Sequence, residues 1–473
     1  MTMHATPLEV QGHSRLSTPE EITAFLAQLA ADIRGASLWQ LGRSAGGRAL
    51  TALRVPARSG QSASLRVLLV GSQHGASEAA GGEALLMLAR DFATGESGAG
   101  LEHLEFVIYP DANPDGRARD SSRNAEEVNI NRDFVLLTQP ETRALDRLLR
   151  EFEPHVVLDA HESAVLKQKT LALEGYMTDF ETQFDCANNP AIPRALRQYT
   201  EGVMLPQLIE RVAAHGIPAQ RYVREILSLS QVLTHGGLTA RKFRIRAGLS
   251  GALAFLLETR VDPKHGHYDS YRNIAVRAAK QLLAQREFIL LLAEQRPVIL
   301  ALLARHARST EPLALAPVYA ATGPERRLGI ALRAIADGEL RAIEFPDHRR
   351  VVSGPRVDLA TQYWITAQQP AFAQLLDTHG FYYQTLSAPL ERPLIVQNMP
   401  VVGATWPLVR REQRSIPAGS LRVPVSGPRG RLLALLLEPC STSSVFHYGA
   451  FAQLLSAGNE CFIWRDHEQA IAT

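Results

Sequence analysis

Two histidines and two glutamates in this chain stand where buried apolar runs end. Val67-Leu68-Leu69-Val70 gives way at Gly71 to a polar loop that holds His74 and Glu78. His155-Val156-Val157-Leu158 leads into Asp159-Ala160-His161-Glu162, and Ala252 to Leu257 leads into Glu258-Thr259-Arg260. A fourth run, Leu104 to Tyr109, ends in a turn cluster containing Asn113 and Asp115. Neutral imidazole and carboxylate are ligands of catalytic zinc, and two His with one Glu leave a fourth position for water. Zinc acidifies that water and polarises a carbonyl, but a base must still take the proton. A carboxylate outside the ligand set is therefore needed, and Glu258 fits the place. Taken alone, His74 and Glu78 read equally as a solvated loop histidine and a helix-starting acid. Four polar clusters at four strand ends carry more weight. In a parallel-dominated sheet those ends lie along one rim, where ligands gather, so residues as distant in sequence as His74 and Glu258 can meet.

The elements that must position them follow an alternating strand and helix pattern. Leu65 to Phe92 reads as strand, loop and helix, with Ala84, Leu85, Leu88 and Ala89 on one stripe. Upstream, Ser17-Thr18-Pro19-Glu20-Glu21 has the hydroxyl cap, early proline and first-turn acids of a helix start, and Ile22, Phe25, Leu26 and Leu29 face inward. A turn-rich segment, Leu41 to Arg48, precedes the strand-like Ala49 to Val55, and Pro56 to Ala63 reads as a polar connection. Pro140 to Glu151 is amphipathic, with Leu145, Leu148 and Leu149 on its face. Asp269 to about Glu294 reads as a long helix that Pro297 bends or ends.

At 473 residues the chain is long for one core. Hydrophobic residues at 46% and charged residues at 21% describe a soluble globular protein. Lys+Arg 50 against Asp+Glu 48 is near balance, which implies neither nucleic acid nor an anionic membrane as partner. Cys186, Cys440 and Cys461 form no CxxC and read as small buried hydrophobes of a reducing compartment. The N-terminal residues lack a basic segment followed by an apolar one, and no apolar stretch is long enough to span a bilayer, so a cytoplasmic location is expected. After Arg308, Ser309-Thr310-Glu311-Pro312 reads as a linker. Beyond it lie short β-like runs (Leu332 to Ile335, Tyr363 to Thr366, Leu394 to Val396, Leu421 to Val423, Leu432 to Leu437) and a helix near Pro370 to His379. Residues 1–308 and 309–473 are thus expected to form a larger α/β domain and a small α+β accessory domain, the latter without a chemical motif.

Six motifs, in order, carry a resemblance. They are Leu41-Gly42-Arg43-Ser44 with Gly47-Arg48; Gln73-His74-Gly75 with Glu78; Asn113-Pro114-Asp115-Gly116; Asn131-Arg132-Asp133-Phe134; Asp159-Ala160-His161-Glu162; and Phe255 to Arg260. Any one is weak, but the ordered set, spanning roughly Leu41 to Asp262, resembles the zinc carboxypeptidases of the carboxypeptidase A-like (funnelin) family. No H-E-x-x-H occurs, which excludes the thermolysin arrangement. The resemblance implies a three-layer α/β/α fold around a mixed sheet, one Zn2+ per chain held by His74, Glu78 and His161, and Glu258 as the base. It implies that Asn131 and Arg132 grip the free carboxylate of a peptide or amidated amino-acid substrate. It also implies that Arg123 faces the scissile carbonyl and stabilises the oxyanion. The alternatives are an N-acyl amino acid deacylase of a related branch and a catalytically silent carboxylate-binding protein.

The chain departs from the family pattern at four points. Three residues separate His74 from Glu78 where the family has two, with Glu83 as a fallback ligand. Asn129 stands where an aspartate commonly supports a ligand histidine. The tyrosine expected shortly before the base is missing from Leu238 to Leu257, and Tyr222 lies further back. Finally, Arg241-Lys242-Phe243-Arg244-Ile245-Arg246 occupies the stretch that lines the side-chain pocket. It is either a solvated basic loop or a selector for an acidic C-terminal residue.

Overall fold

The computed structural model describes residues 4–58, 64–94, 101–261, 273–307, 309–400 and 406–467. Asp262, the expected helix start at Asp269, Arg308 and most of the connection ending at Ala63 lie outside these residues. The described residues of the first part of the chain form nine strands: β1 Ser37–Arg43, β2 Ala49–Val55, β3 Leu65–Gly71, β4 Leu104–Tyr109, β5 Val156–Ala164, β6 Tyr176–Thr178, β7 Thr182–Cys186, β8 Ala219–Arg221 and β9 Leu253–Val261. All but β6 form one mixed sheet in the order β1-β2-β4-β3-β5-β9-β7-β8. Its centre, β4-β3-β5-β9, is parallel, and β2 and β7 join that centre antiparallel.

The central strands are apolar without alternation because both faces are covered. From β3 the chain moves one way along the sheet to β4, then back past β3 to β5. Right-handed crossovers therefore place helices Ala80–Thr94 and Pro140–Glu151 on opposite faces, which gives the three layers. Helix Pro19–Asp32 begins as its sequence suggests, with Thr18 and Glu21 closing a reciprocal cap around Pro19.

Two expectations are corrected. Helix Ile274–His306 continues past Pro297, which therefore does not end it. That residue is exposed, so water can satisfy the carbonyl it leaves unpaired, and Ile299 beyond it is buried in the core. Leu432 to Leu437 lies in a helix, Gly430–Leu437, and is not a strand. A short all-apolar run has no period to distinguish the two, and leucine and alanine favour helix over strand.

Beyond residue 308 the chain builds a six-stranded sheet from Gln362–Ile365, Gln384–Thr385, Leu390–Asn398, Leu408–Ile416, Leu421–Pro424 and Ile463–Asp466, with helices Gln369–His379 and Gly430–Leu437. This is the expected α+β character, but the region is not packed as a separate body. Strand Arg327–Ala334 pairs with β6, and Leu313, Tyr363, Leu432 and Leu436 belong to the same apolar core as β3 and β5. Among the described residues, no helix is long and apolar enough to cross a membrane.

Candidate metal centre

β3 ends at Gly71, and the chain then makes a short 3-10 turn, Gly75–Glu78, before helix Ala80–Thr94. The residue added between His74 and Glu78 is absorbed here. Gly75 takes φ +53°, and a Cβ on it would lie 2.5 Å from the Gly116 carbonyl carbon. Only glycine allows that turn against that neighbour. The Asn113 turn supports the loop from the side, since Asn113 Nδ2 donates to the Gln73 carbonyl at 3.2 Å. Asp115 is engaged elsewhere, accepting from Ser44 Oγ, Arg48 Nη1 and the Gly46 N–H at 2.7–2.9 Å. The first and third sequence motifs therefore lock to each other and brace the site from outside.

β3, β5 and β9 run parallel, so their carboxyl ends bring His74, Glu78, His161 and Glu258 together. The Glu78 carboxylate spans both imidazoles, with Oε1 2.7 Å from His74 Nδ1 and Oε2 2.7 Å from His161 Nδ1. The two rings are 4.9 Å apart, and one donor atom from each of His74, Glu78 and His161 lies within 4.8 Å of the others. Both His74 nitrogens are buried without a hydrogen bond, because the 2.7 Å approach to Glu78 lacks hydrogen-bond alignment. His161 Nδ1 shares a hydrogen bond with Glu78 Oε2, while His74 brings two unpaired nitrogens to the same point, and two imidazoles with one carboxylate suit zinc.

Electrostatics supports the same fit. Burial pushes the Glu78 carboxyl up, yet the charges of His74 and His161 hold it well below the usual carboxylate range. Burial lowers His161, but Asp159 and Glu78 raise its pKa well above the ordinary value. The pair of carboxylates thus calls for a positive charge at this point, which a metal ion would supply in place of the proton. The other nitrogen of His161, Nε2, lies 3.0 Å from Asp159 Oδ1, and Asp159 also accepts from Gln73 Nε2. A proton held between Nε2 and Asp159 leaves the Nδ1 lone pair facing the convergence point. The supporting aspartate is therefore Asp159, two residues before the ligand it orients. Asn129 leaves its buried Oδ1 without a partner.

Glu258 sits directly across from His161 in the β5–β9 register and accepts a hydrogen bond from Ser163 Oγ at 2.8 Å. It stands outside the converging triad. Burial, and then the charge of Glu78, push its pKa up to about 7. Glu83, the fallback ligand, is committed to the core, where it takes Arg117 Nη1 at 2.8 Å and both the hydroxyl and the N–H of Ser17.

These groups line a cavity of ≈ 480 Å³ that also receives Asn131, Arg132, Tyr222, Lys242 and Arg244. Asn131 Nδ2 is 3.3 Å from His161 Nε2, and its Oδ1 accepts from the Phe243 N–H, which seats helix Phe243–Leu249 beside the site. Arg132 Nη1 donates to the Asn131 carbonyl at 2.7 Å, and no carboxylate pairs with this guanidinium among the described residues. Arg123 is not brought to the cavity. It is exposed and donates to the Glu127 carbonyl at 2.7 Å. The cause is its neighbour Asn124, fully buried, which binds Gln139, Glu141 and the Val128 N–H and so turns the Arg123 side chain outward. Tyr222, passed over in the sequence, does reach the cavity, where burial and the nearby Glu258 raise its pKa. It directly follows β8, obeying the same strand-end rule, but β8 has three residues and no apolar run to announce it.

Residues 22–153 match a family described as zinc carboxypeptidase. Carboxypeptidase 2 of Trichophyton rubrum is 31% identical over 204 residues, which is 41% of this chain and 37% of that protein. The probable carboxypeptidase 2 of Arthroderma benhamiae is 31% identical over 204 residues, 41% of this chain and 38% of that protein. The match therefore spans well under half the length of these relatives. Among solved structures, carboxypeptidase A from Helicoverpa armigera aligns with a TM-score of 0.45 at 17% identity, over 60% of this chain and 75% of that one. A metallo-carboxypeptidase from Burkholderia cenocepacia aligns with a TM-score of 0.43 at 18% identity, over 59% and 70%. The family match includes His74, Glu78, Asn131 and Arg132 and ends before His161 and Glu258, which are joined to it by strand register. Over residues 22–153, this chain is therefore similar to the zinc carboxypeptidases.

Proposed function

We propose that this protein is a zinc-dependent metallocarboxypeptidase that removes the C-terminal residue of peptides or peptide-like amides. The observation that carries the reading is one cavity holding three converging donors, a carboxylate outside them, and a guanidinium that no carboxylate pairs with among the described residues. His74, His161 and Glu78 would hold one zinc ion. Bound there, zinc supplies a Lewis acid that polarises the substrate carbonyl and lowers the pKa of a water. Glu258 takes the proton from the attacking water and returns it to the departing amine nitrogen. Both tasks suit a carboxyl that titrates near neutrality. Ser163 fixes the orientation of that carboxyl, and Asp159 fixes the His161 ring. The Arg132 fork matches a carboxylate through two parallel hydrogen bonds, with Asn131 beside it, and this sets the scissile bond one residue from the chain end. Arg123 has no part in this scheme.

The test is mass spectrometry of a peptide with a free C-terminus, its C-terminal amide, and an N-acyl amino acid, with and without a zinc chelator. Loss of one residue from the free acid alone, abolished by chelator and restored by zinc, is expected. Equal cleavage of the amide would remove the carboxypeptidase reading, and cleavage confined to the N-acyl amino acid would replace it with deacylation.

A further inference from the structure

The basic run Arg241 to Arg246 is neither a solvated loop nor a single selecting surface, because its four cations go to different places. Arg246 is fully buried in the core, with Nη2 2.6 Å from Asp146 Oδ1 and Nη1 donating to the Phe134 carbonyl. Arg241 lies over the Tyr448 ring at 6.0 Å. Arg244 lines the cavity, but its charge is met by Asp185, 3.0 Å from Nη1, a carboxylate that also has Arg221 nearby at 3.6 Å.

Lys242 is different. It lines the same cavity, and among the described residues no carboxylate forms an ion pair with it. Burial and the positive charges of Arg132 and Arg244 draw its pKa down to about 8. The chain makes room for this cation with two successive glycines. A Cβ on Gly236 would lie 2.2 Å from Arg244 Nη2, and one on Gly237 would lie 3.2 Å from Lys242 Cε. The side chains of both cations therefore lie over backbone that carries no side chain.

Among the described residues, the cavity thus offers two cations without a carboxylate, Arg132 and Lys242. A substrate α-carboxylate answers the first. A neutral side chain at the substrate's C-terminal residue would leave the second desolvated and unpaired, and a cationic one would add a third positive charge. On the carboxypeptidase reading above, we propose that the cavity takes substrates whose C-terminal residue is aspartate or glutamate, and that Lys242 is the group that reads the side-chain carboxylate.

The zinc-loaded full chain is assayed on three peptides that differ only in a final Glu, Gln or Lys. Glutamine keeps the shape of glutamate and removes its charge, so the Glu/Gln ratio of kcat/KM isolates the side-chain carboxylate. That ratio is expected to be about 30-fold or more, and to fall to within about threefold in Lys242→Met. Lys242→Arg, which keeps the charge, should hold most of it and guards against misfolding of the Met variant. Calorimetric binding of N-acetylglutamate against N-acetylglutamine gives the same comparison without catalysis, with the dicarboxylate tighter by at least about tenfold in the wild type only. Equal binding of the two, or a ratio unmoved in Lys242→Met, overturns the proposal. Absence of hydrolysis with the binding difference intact would instead strike the catalytic reading and leave the role of Lys242 standing.

Discussion

Glu258 and Asp159 both lie beside His161, yet they hold it and the chemistry in different ways. Glu258 faces the cavity and touches the protein through Ser163, so replacing it should leave the donor triad in place. Glu258→Gln is expected to lower kcat by on the order of 10²–10⁴ with one zinc per chain still bound, read by elemental analysis of the same sample. Loss of metal in that variant would place Glu258 among the ligands. Asp159 touches the donor triad through His161 and also accepts from Gln73 Nε2. Asp159→Ala should weaken zinc by roughly 10–100-fold in a chelator competition, with the fold intact by circular dichroism. Undiminished affinity would mean that Asn131 suffices to orient the ring. His74, Glu78, His161 and Glu258 were legible in the sequence because each follows an apolar run whose end fixes where it must stand. Asp159 was hidden inside the same motif as its ligand, and Tyr222 followed a strand too short to carry a pattern. Arg123 was misplaced because the direction of its loop is set by Asn124, whose partners at Gln139 and Glu141 cannot be read from the loop itself.

The elements hold these residues through their ends, where the least regular backbone lies. The 3-10 turn Gly75–Glu78 takes up the extra residue of the first motif, so a departure in spacing becomes a change of turn and the ligands still converge. At the opposite end of β5, His155 Nδ1 accepts the Arg66 main-chain N–H at 3.0 Å, a bond that only the neutral ring can make. Burial, and then the charge of Arg66, bring its pKa down to about 4, below the 6.5 of a free histidine. The unfolded chain therefore takes up this proton at a higher pH than the folded one. Stability is full above about pH 6.5 and falls as the pH drops toward about 4, by about 1–2 kcal/mol once partial solvent exposure is allowed for. Denaturant midpoints at several pH values should show this slope. His155→Asn, which can accept the same N–H without titrating, should flatten it, and an unchanged slope would assign the loss to the carboxylates. Helix Phe243–Leu249 was the element hardest to read, since its alternating arginines look solvated, while Asp185 and Asp146 meet two of them inside the protein.

Across the whole molecule, the region after residue 308 braces the wall of the cavity from behind. Strand Arg327–Ala334 extends β6 with Leu332 opposite Thr178, and Thr178 lines the cavity. Ile330, Leu332 and Phe345 form one buried cluster with Leu171, Val223, Ile226 and Leu233, of which Val223 and Ile226 also line it. The Leu233 N–H donates to the Pro346 carbonyl at 3.0 Å, and Tyr319 Oη donates to the Gly236 carbonyl at 2.6 Å. The segment that carries Tyr222 and the two glycines is thus pinned at three points by chain more than eighty residues further on. No chemical motif marks this role, because bracing needs only apolar faces and a free strand edge, which any α+β segment has. The converging donors stand on β5 (His161) and in the loop and turn after β3 (His74, Glu78), and do not share this cluster. Loosening the brace should therefore separate substrate binding from metal binding. Phe345→Leu, which removes part of a fully buried ring at a cost of about 1–2 kcal/mol, is expected to raise KM several-fold at unchanged zinc content. Hydrogen exchange should quicken in residues 222–236 and stay constant in β3 and β5. Equal loss of zinc and of substrate affinity would show instead that the two regions yield as one core.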